Sequence, residues 1–100
     1  MQEPKPVCFS RDAQLSVKAL KRIQEQQKFA KENAAVFASL TRREREILTD
    51  WASGKTNDAI AEEHIVSPHT IRTHRQNVRA KLRIHHTVEA VWWAQCFDLV

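Results

Sequence analysis

The feature that most limits the fold of this chain is its near lack of residues that interrupt helices. Its 100 residues include one glycine, Gly54, and three prolines, Pro4, Pro6 and Pro68. Turns and strand ends usually need these residues, and the period-two alternation of β-branched residues that is typical of strands is also missing. The sequence therefore predicts an all-α fold, with the size of one small domain and an additional arm.

The N-terminal part of the chain divides into two segments. Residues 1–16 contain two prolines, Pro4 and Pro6, and we predict a flexible arm there. From Val17 the spacing of apolar residues predicts an amphipathic helix over residues 17–39, whose stripe Gln27 interrupts. The stripe consists of Leu20, Ile23, Ala30, Ala34 and Phe37. This pattern fits a short dimerising coiled coil and a linker helix packed on the following domain equally well.

The second half of the chain opens with a helix-starting signal. Thr41 and Glu44 have the spacing of a capping box, in which each side chain binds the backbone N–H of the other residue. Gly54 suits the left-handed residue that ends this helix. Thr56 is placed to cap the next helix, which is only about two turns long. Residues 65–66, Ile-Val, follow as a turn. We expect their apolar side chains to point inward and fill this turn as a plug.

A long helix is predicted from Pro68 to about Leu82. Ser67 suits its N-cap, and proline is favoured at the first helical position because its missing N–H is not needed there. Thr87 is expected to cap a last helix. A helix, a short helix, a tight turn, a long helix and a closing helix together predict a helix-turn-helix with flanking supports.

Charge is distributed unevenly along the chain. The formal net charge is +4, yet no acidic residue occurs between Glu63 and Glu89, where five Lys and Arg residues lie. Solvated helix faces usually mix the two signs of charge. A face of one sign is typical of a surface that meets a polyanion.

The long helix separates apolar from basic residues by direction. Ile71, Val78 and Leu82 fall on one stripe, which we expect to face the core. A second stripe lies roughly 100° away on the helix. It contains Arg72, Gln76, Arg79 and Arg83, with Arg75 at its border. An α-helix fits the DNA major groove, and Arg and Gln suit guanine and adenine edges, so this stripe predicts DNA recognition.

The same residues resemble a known family. The segments "LTRREREIL" at 40–48, Asn57 with Ile60-Ala61, and "VSPHTIRTH" at 66–74 have the spacing of the LuxR/GerE-type helix-turn-helix. This domain is found in quorum-sensing regulators and in NarL/FixJ-class response regulators. The resemblance spans residues 40 to about 94. It implies a bacterial transcription regulator with a four-helix domain at 40–100, whose third helix, at 68–82, enters the major groove.

The resemblance also implies roles for individual residues. The positions that match the family's base readers are Arg72, Thr73 and Gln76. Those that match its phosphate contacts are Asn57, Thr70, His74 and Lys81. From the position of the basic stripe and the free N–H groups at the helix start we add Arg75, Arg79 and Ser67. Because members often dimerise through the last helix, an interface is expected at Val88, Val91, Trp92 and Gln95.

Two departures from the family pattern stand out. Asp58-Ala59 replaces a common Lys-Glu pair, and the acid at 58 is expected to weaken a phosphate contact without affecting the fold. Trp92-Trp93 is bulkier than the usual aliphatic pair. We expect one Trp to pack on the core and the other to reach an interface. The alternative is that both cover the core of their own domain.

Other classes of function fit the sequence less well. The histidines form no HxxxH with a third ligand, and the chain has no Cys pair, no Gly-rich phosphate loop and no Ser/His/Asp cluster. We therefore predict no catalytic residue, no metal site and no cofactor. Two alternatives remain: a promoter-binding module like sigma region 4, and a protein-interaction module that acts through the 17–38 helix.

The expected partners follow from the favoured interpretation. They are double-stranded DNA, a second copy of the chain and RNA polymerase, in the cytoplasm and without a membrane. The chain has no room for a receiver domain or a ligand pocket for an autoinducer. It is either a small stand-alone regulator or the C-terminal piece of a longer one.

Overall fold

The computed structural model describes residues 11–100, with side chains from Ser16 onward. It contains six helices and no strand in this range, which confirms the all-α prediction. The helices are α1 (Arg11–Glu32), α2 (Ala34–Ala38), α3 (Arg42–Ala52), α4 (Asn57–His64), α5 (Pro68–Leu82) and α6 (Thr87–Cys96). None of the described helices is both long enough and apolar enough to cross a bilayer.

The core lies between α3, α5 and α6, and a smaller cluster connects α4 to it. The main cluster is Leu40, Leu48, Trp51, Val78, Leu82, Ile84, Ala90 and Trp93. The second is Ile47, Ile60, Ala61 and Ile71. Because Ile71, Val78 and Leu82 are all buried, the predicted core stripe of α5 is confirmed, and the opposite face of the helix is left outside.

Side-chain caps define where the helices of the domain begin, as the sequence predicts. The Glu44 N–H donates to Thr41 Oγ1 over 3.1 Å, and the Thr41 N–H donates to Glu44 Oε1 over 2.8 Å, which completes the capping box. Thr56 accepts from the Ala59 N–H at the start of α4. Ser67 caps α5, with Pro68 at its first position. These bonds satisfy N–H groups that a helix start leaves without a partner.

The start of α6 differs from the prediction. His86 is the residue before the helix, and the Glu89 carboxylate accepts from the backbone N–H groups of His85 (2.8 Å) and His86 (2.9 Å). Thr87, the predicted cap, is the first helical residue, and its hydroxyl accepts from the indole N–H of Trp51 over 3.2 Å. The buried indole needs an acceptor, and the Thr87 hydroxyl supplies it instead of capping the helix.

The prediction that apolar side chains plug the turn after α4 is also wrong. Ile65 ends α4 in the left-handed conformation, with φ +56°, and 90% of its surface is exposed. Val66 is 37% exposed. A left-handed residue reverses the direction of the chain in this tight turn, and here its side chain points to solvent.

The N-terminal segments have different bounds from those predicted. Residues 11–16, assigned to the flexible arm, belong to α1, since the sequence "RDAQLS" contains no residue that prevents a helix. Residues 1–10 of the predicted arm lie outside the described part of the chain. The single helix predicted over 17–39 is divided at Asn33, whose φ of −113° and ψ of 14° depart from helical values. The Asn33 side-chain amide donates to the Phe29 carbonyl over 2.9 Å, beside the backbone bond from the Asn33 N–H to the same carbonyl over 3.0 Å.

Candidate nucleic-acid interface

The outer face of α5 and the start of α4 form one basic surface. Five residues line a shallow pocket of about 190 Å³ there. They are Asn57, Arg72, Arg75, Gln76 and Arg79. The structure thus brings together two of the predicted base readers and three of the predicted phosphate contacts. Arg83, predicted on the same stripe, instead ends α5 in the left-handed conformation with φ +57° and is not part of this pocket.

Arg75 connects this surface to the core. Its guanidinium lies over the Trp51 ring, 4.3 Å from the centroid, and Nη1 donates to Asn57 Oδ1. Its Nε is buried and finds no hydrogen-bond partner among the described residues. Burial, and then the charge of Arg79, lower the pKa of Arg75. Arg75 therefore holds positive charge in a partly desolvated position, where an anion would be attracted strongly.

Trp51 supports both arginines and was missed as a functional residue. The Arg79 guanidinium also lies over its ring, 5.1 Å from the centroid. The indole is buried and its N–H is bonded to Thr87, so the ring has a fixed orientation. Trp is the best aromatic partner for a cation. From the sequence Trp51 is predicted only as a core residue, because no spacing rule relates a residue of α3 to Arg75 and Arg79 on another helix.

The three predicted base readers are all exposed. Arg72 and Gln76 line the pocket, whereas Thr73 does not. The Thr73 hydroxyl donates to the His69 carbonyl over 3.1 Å, which leaves its methyl group and the acceptor capacity of its oxygen for another molecule. The three side chains therefore offer a donor fork, a carboxamide and a methyl group, which are the groups that distinguish base edges in the major groove.

The start of α5 is arranged for an anion. Its first turn contains no acidic residue, and Ser67 Oγ accepts from the Thr70 N–H over 3.2 Å and bonds to Thr70 Oγ1 over 3.0 Å. His74, one turn further along, is half-buried. The Asn57 carboxamide oxygen accepts from Arg75, so its amide N–H₂ is the donor that remains for a phosphate. The positive end of the α5 dipole adds to the same field.

Lys81 is separated from this surface and stabilises the domain. Its ammonium donates to Glu44 Oε1 over 2.7 Å and to the Ser39 carbonyl over 3.1 Å. Burial raises the pKa of the Glu44 carboxyl, but the hydrogen bonds from Lys81 and from the backbone of Thr41 outweigh it, so the pKa is lowered. Lys81 thus neutralises a buried carboxylate, a role that its match to a family phosphate contact does not reveal.

The four residues of the predicted dimer interface do not form one open patch. Val88 is 72% exposed and Gln95 is exposed, whereas Val91 is half-buried. Trp92 is half-buried because the Phe29 ring of α1 packs edge-on against it, with centroids 5.8 Å apart. Trp93 is buried, as expected for the Trp that packs on the core, while the interface position of Trp92 stays a prediction. Helix α1 covers part of the α6 surface that was assigned to a partner.

The comparisons with known proteins agree with this geometry. Residues 38–94, more than half of the chain, match the family described as bacterial regulatory proteins, luxR family. The chain is 42% identical over 69 residues to the transcriptional regulatory protein LiaR of Bacillus subtilis (strain 168), which is 69% of this chain and 33% of that protein. With the uncharacterized transcriptional regulatory protein YhcZ of the same strain, it is 38% identical over 63 residues, 63% of this chain and 29% of YhcZ.

A third relative comes from another organism. The chain is 39% identical over 62 residues to the transcriptional regulatory protein FixJ of Bradyrhizobium diazoefficiens, which is 62% of this chain and 30% of that protein. The chain spans about a third of the length of the curated relatives it matches. The helix order, the basic face of α5 and the family match lead to one conclusion: the chain belongs to the LuxR family of bacterial regulatory proteins.

Proposed function

We propose that this chain binds double-stranded DNA sequence-specifically, with α5 in the major groove, as the DNA-binding part of a bacterial transcriptional regulator. The observation that supports this most directly is the outer face of α5. Arg72 and Gln76 are exposed there beside Arg75 and Arg79, which are held over a buried indole, and no carboxylate lies on this helix. The exposed Arg72 and Gln76 take little part in packing, whereas they suit a polyanion whose base edges need Arg and Gln.

The roles of the residues follow from their positions. Arg72, Thr73 and Gln76 read bases. The phosphate contacts are Asn57, Ser67, Thr70, His74, Arg75 and Arg79. We assign Lys81 to the stability of the domain because Glu44 and Ser39 occupy its ammonium group. Phosphate contacts provide most of the affinity, and base contacts provide the choice of sequence.

One recognition helix reaches only one half-site, so we propose that two copies bind together. Helix-turn-helix dimers read two half-sites about one helical turn of DNA apart, on the order of 34–36 Å. The relatives LiaR, YhcZ and FixJ are named transcriptional regulatory proteins. We therefore propose RNA polymerase as a further partner and the bacterial cytoplasm as the location.

The direct test is selection from random duplex DNA on the purified chain, followed by affinity measurements on the enriched site. We expect an enriched motif with a two-fold repeat. Replacing Arg72 with Ala should weaken binding to this site by about 1–3 kcal/mol and leave binding to random DNA almost unchanged. The charge-matched control is Arg42→Ala, because the Arg42 side chain is 94% exposed on α3, pairs with Glu46 and does not line the pocket.

The remaining outcomes separate the other interpretations. If Arg72→Ala weakened all sequences equally, Arg72 would be a phosphate contact and not a base reader. Steep salt dependence without an enriched motif would indicate a non-specific basic protein. Absence of binding at low salt would contradict the DNA proposal and favour the protein-interaction alternative at residues 17–38. Enrichment of single promoter elements without a repeat would favour the alternative that resembles sigma region 4.

A further inference from the structure

Helix α1 has two apolar faces, and its own domain uses only one of them. Phe29 packs edge-on against Trp92, at 5.8 Å, and against Trp93, at 4.9 Å between ring centroids. Nearer the start of α1, Leu20 is 56% exposed and Ile23 is 47% exposed. Exposed apolar side chains that form a contiguous patch mark an interaction surface, whereas single ones do not.

The exposed face points away from the domain. At about 100° per residue, Leu20, Ile23 and Gln27 lie within about 60° of one another around α1. Phe29 lies roughly 150° from the middle of this group. We call Leu20, Ile23 and Gln27, with the flanking Val17, the α1 stripe. The contact of Phe29 with α6 fixes the helix so that this stripe stays accessible to another molecule.

The charges of α1 favour a second copy of this chain as that molecule. With Leu20 and Gln27 at a positions and Ile23 at the d position of a heptad, the flanking e and g positions are all uncharged. They are Val17, Ala19, Gln24 and Gln26. The charged residues of this segment occupy the outer positions: Lys18, Lys21, Arg22, Glu25 and Lys28. Two copies can therefore meet along the stripe without bringing like charges together, and a charged partner helix would find no complement there.

Gln27 favours one arrangement of the two copies. In a parallel, in-register pair its carboxamide lies opposite the same group of the other copy, and each can donate to and accept from the other. In an antiparallel pair it would lie against an apolar d-position side chain and leave a polar group unsatisfied. Gln27, which interrupts the apolar stripe, therefore specifies the register in which the two copies pair.

We infer that residues 17–27 of α1 form a parallel two-stranded coiled coil with a second copy of this chain. The dimer is then held by a stem that projects from the domain, in agreement with a longest molecular dimension of 52 Å against 29 and 27 Å for the others. This goes beyond the proposed function, which requires a dimer on DNA but does not say what holds it. The association itself needs no DNA, so the two proposals can fail separately.

The first test is sedimentation equilibrium of the full chain without DNA, over a wide range of concentrations. The unchanged chain should show a monomer–dimer equilibrium. The double variant Leu20→Glu/Ile23→Glu should raise its dissociation constant at least about tenfold, because it removes the two largest apolar contacts and places acids in the seam. The matched control Lys18→Gln/Lys21→Gln changes the net charge by the same amount on the outer positions and should leave the equilibrium unchanged.

A second test uses variants that should strengthen the association of the two copies instead of weakening it. Gln27→Leu should tighten the dimer or increase the number of strands, because the polar layer is lost. Gln27→Cys should form a disulfide between copies under mild oxidation, as expected for equivalent positions in a parallel pair, whereas Lys28→Cys on an outer position should not. The unchanged chain, with its own two cysteines, is the reference for both. Circular dichroism checks that each variant keeps its helices.

Three results would overturn the inference. One is a chain that remains monomeric at every concentration. Another is a dimer that survives Leu20→Glu/Ile23→Glu but is lost in Val88→Glu, because α6 would then hold the copies together. The third is a Lys28→Cys variant that cross-links as readily as Gln27→Cys. Failure of DNA binding with an intact stem would contradict only the proposed function. A chain that is monomeric without DNA but binds two adjacent half-sites as a pair would contradict only the stem.

Discussion

At the scale of single residues, the pair formed by Glu44 and Lys81 shows how one side chain can hold together three segments. The Glu44 carboxylate is 4% exposed and accepts from the backbone of Thr41 and from the Lys81 ammonium at the far end of α5. Lys81 also donates to the carbonyl of Ser39, before α3. A buried carboxylate with these donors is stable as an ion, and without Lys81 it loses its only cationic partner recorded in the described residues.

We predict that Lys81→Ala destabilises the domain. The free energy of unfolding at pH 7 should fall by about 1–2 kcal/mol, a value reduced because the Lys81 side chain is 36% exposed. The lowered pKa of Glu44 means that its stabilising contribution is present above the ordinary carboxylate pKa and is lost as the pH falls through the folded-state pKa. The difference between the two proteins should therefore shrink towards pH 4 and below, as urea unfolding at several pH values will test.

Lys55→Ala is the control for this prediction. Lys55 also contacts two carboxylates, Asp50 at 3.2 Å and Glu63 at 2.9 Å, and its side chain is as exposed as that of Lys81. Both of its partners are less buried than Glu44, and ion pairs stabilise less as their exposure to solvent increases. Its effect on unfolding should be clearly smaller than that of Lys81→Ala. Equal effects in the two variants would contradict the structural role assigned to Lys81.

At the scale of elements, left-handed residues end four helical segments with different side chains. Gly54 follows α3 with φ +85°, Ile65 follows α4 with φ +56°, Arg83 follows α5 with φ +57° and Asp98 follows α6 with φ +58°. Glycine adopts this conformation without steric cost, whereas a β-branched residue does not. The chain therefore carries local strain in the turn between α4 and α5, the segment that sets the angle of the recognition helix.

We predict opposite effects of substitutions at two of these ends. Gly54→Ala should lower the free energy of unfolding by roughly 1–2 kcal/mol through backbone strain alone, because an added Cβ meets nothing within 4 Å. Ile65→Asn should raise it by about 0.5–1 kcal/mol, since Asn tolerates the left-handed region and Ile65 buries little. Urea denaturation measures both.

Val88→Asn serves as the matched control for Ile65→Asn. Val88 is also an exposed apolar residue, at 72%, but it lies within α6 and has no positive φ. It should not gain stability, because Val and Asn have similar helix propensities and no left-handed strain is relieved there. If Val88→Asn raised the free energy of unfolding as much as Ile65→Asn, the cause would be the loss of exposed apolar surface and not the relief of backbone strain.

How far the sequence predicts these elements depends on the range of the interactions. The capping box at Thr41, the end of α3 at Gly54 and the start of α5 at Ser67 depend on residues three or four apart, and all three are confirmed. The hydroxyl of Thr87 was misassigned because its partner, Trp51, lies on another helix. The helix predicted over 17–39 is divided at Asn33 by a local change of backbone dihedral angles, to φ −113° and ψ 14°, which the spacing of apolar residues does not register.

How far the sequence predicts the candidate site also depends on the range of the interactions. The exposed positions of Arg72 and Gln76 follow from the helical period alone. The stacking of Arg75 and Arg79 on Trp51, and the pairing of Lys81 with Glu44, depend on how α3 and α5 cross. A family pattern matches positions one by one, so it gave Lys81 the role of a phosphate contact without showing that a carboxylate already occupies it.

At the scale of the whole molecule, the outer face of α5 is a surface of positive charge. Arg72, Arg75 and Arg79 lie around one pocket, and several acids of α3 and α4 are already paired, as Asp50 and Glu63 are with Lys55. A surface of one sign attracts a polyanion from a distance and orients the molecule before contact. Affinity for DNA should therefore depend strongly on salt.

We predict that this salt dependence changes by a defined amount when one contact is removed. Arg79→Ala should make the slope of log K against log salt concentration shallower by about one, the value for one phosphate neutralised. Arg42→Ala should leave the slope unchanged, because Arg42 lies on α3 away from the pocket. Binding isotherms at several salt concentrations on one duplex give both slopes, and an unchanged slope for Arg79→Ala would remove it from the phosphate contacts.

The indole of Trp51 has a consequence for the entropy of binding. A free arginine side chain loses up to about 2 kcal/mol of conformational freedom when a ligand immobilises it. Arg75 and Arg79 rest on the same ring in the unbound chain, so much of that loss occurs when the domain folds and not when DNA arrives. The surface is in this sense preorganised: Arg75 and Arg79, the proposed phosphate contacts, have fixed positions before an encounter with DNA. Arg72, exposed beside them, keeps the freedom to adjust to a base, as its proposed role requires.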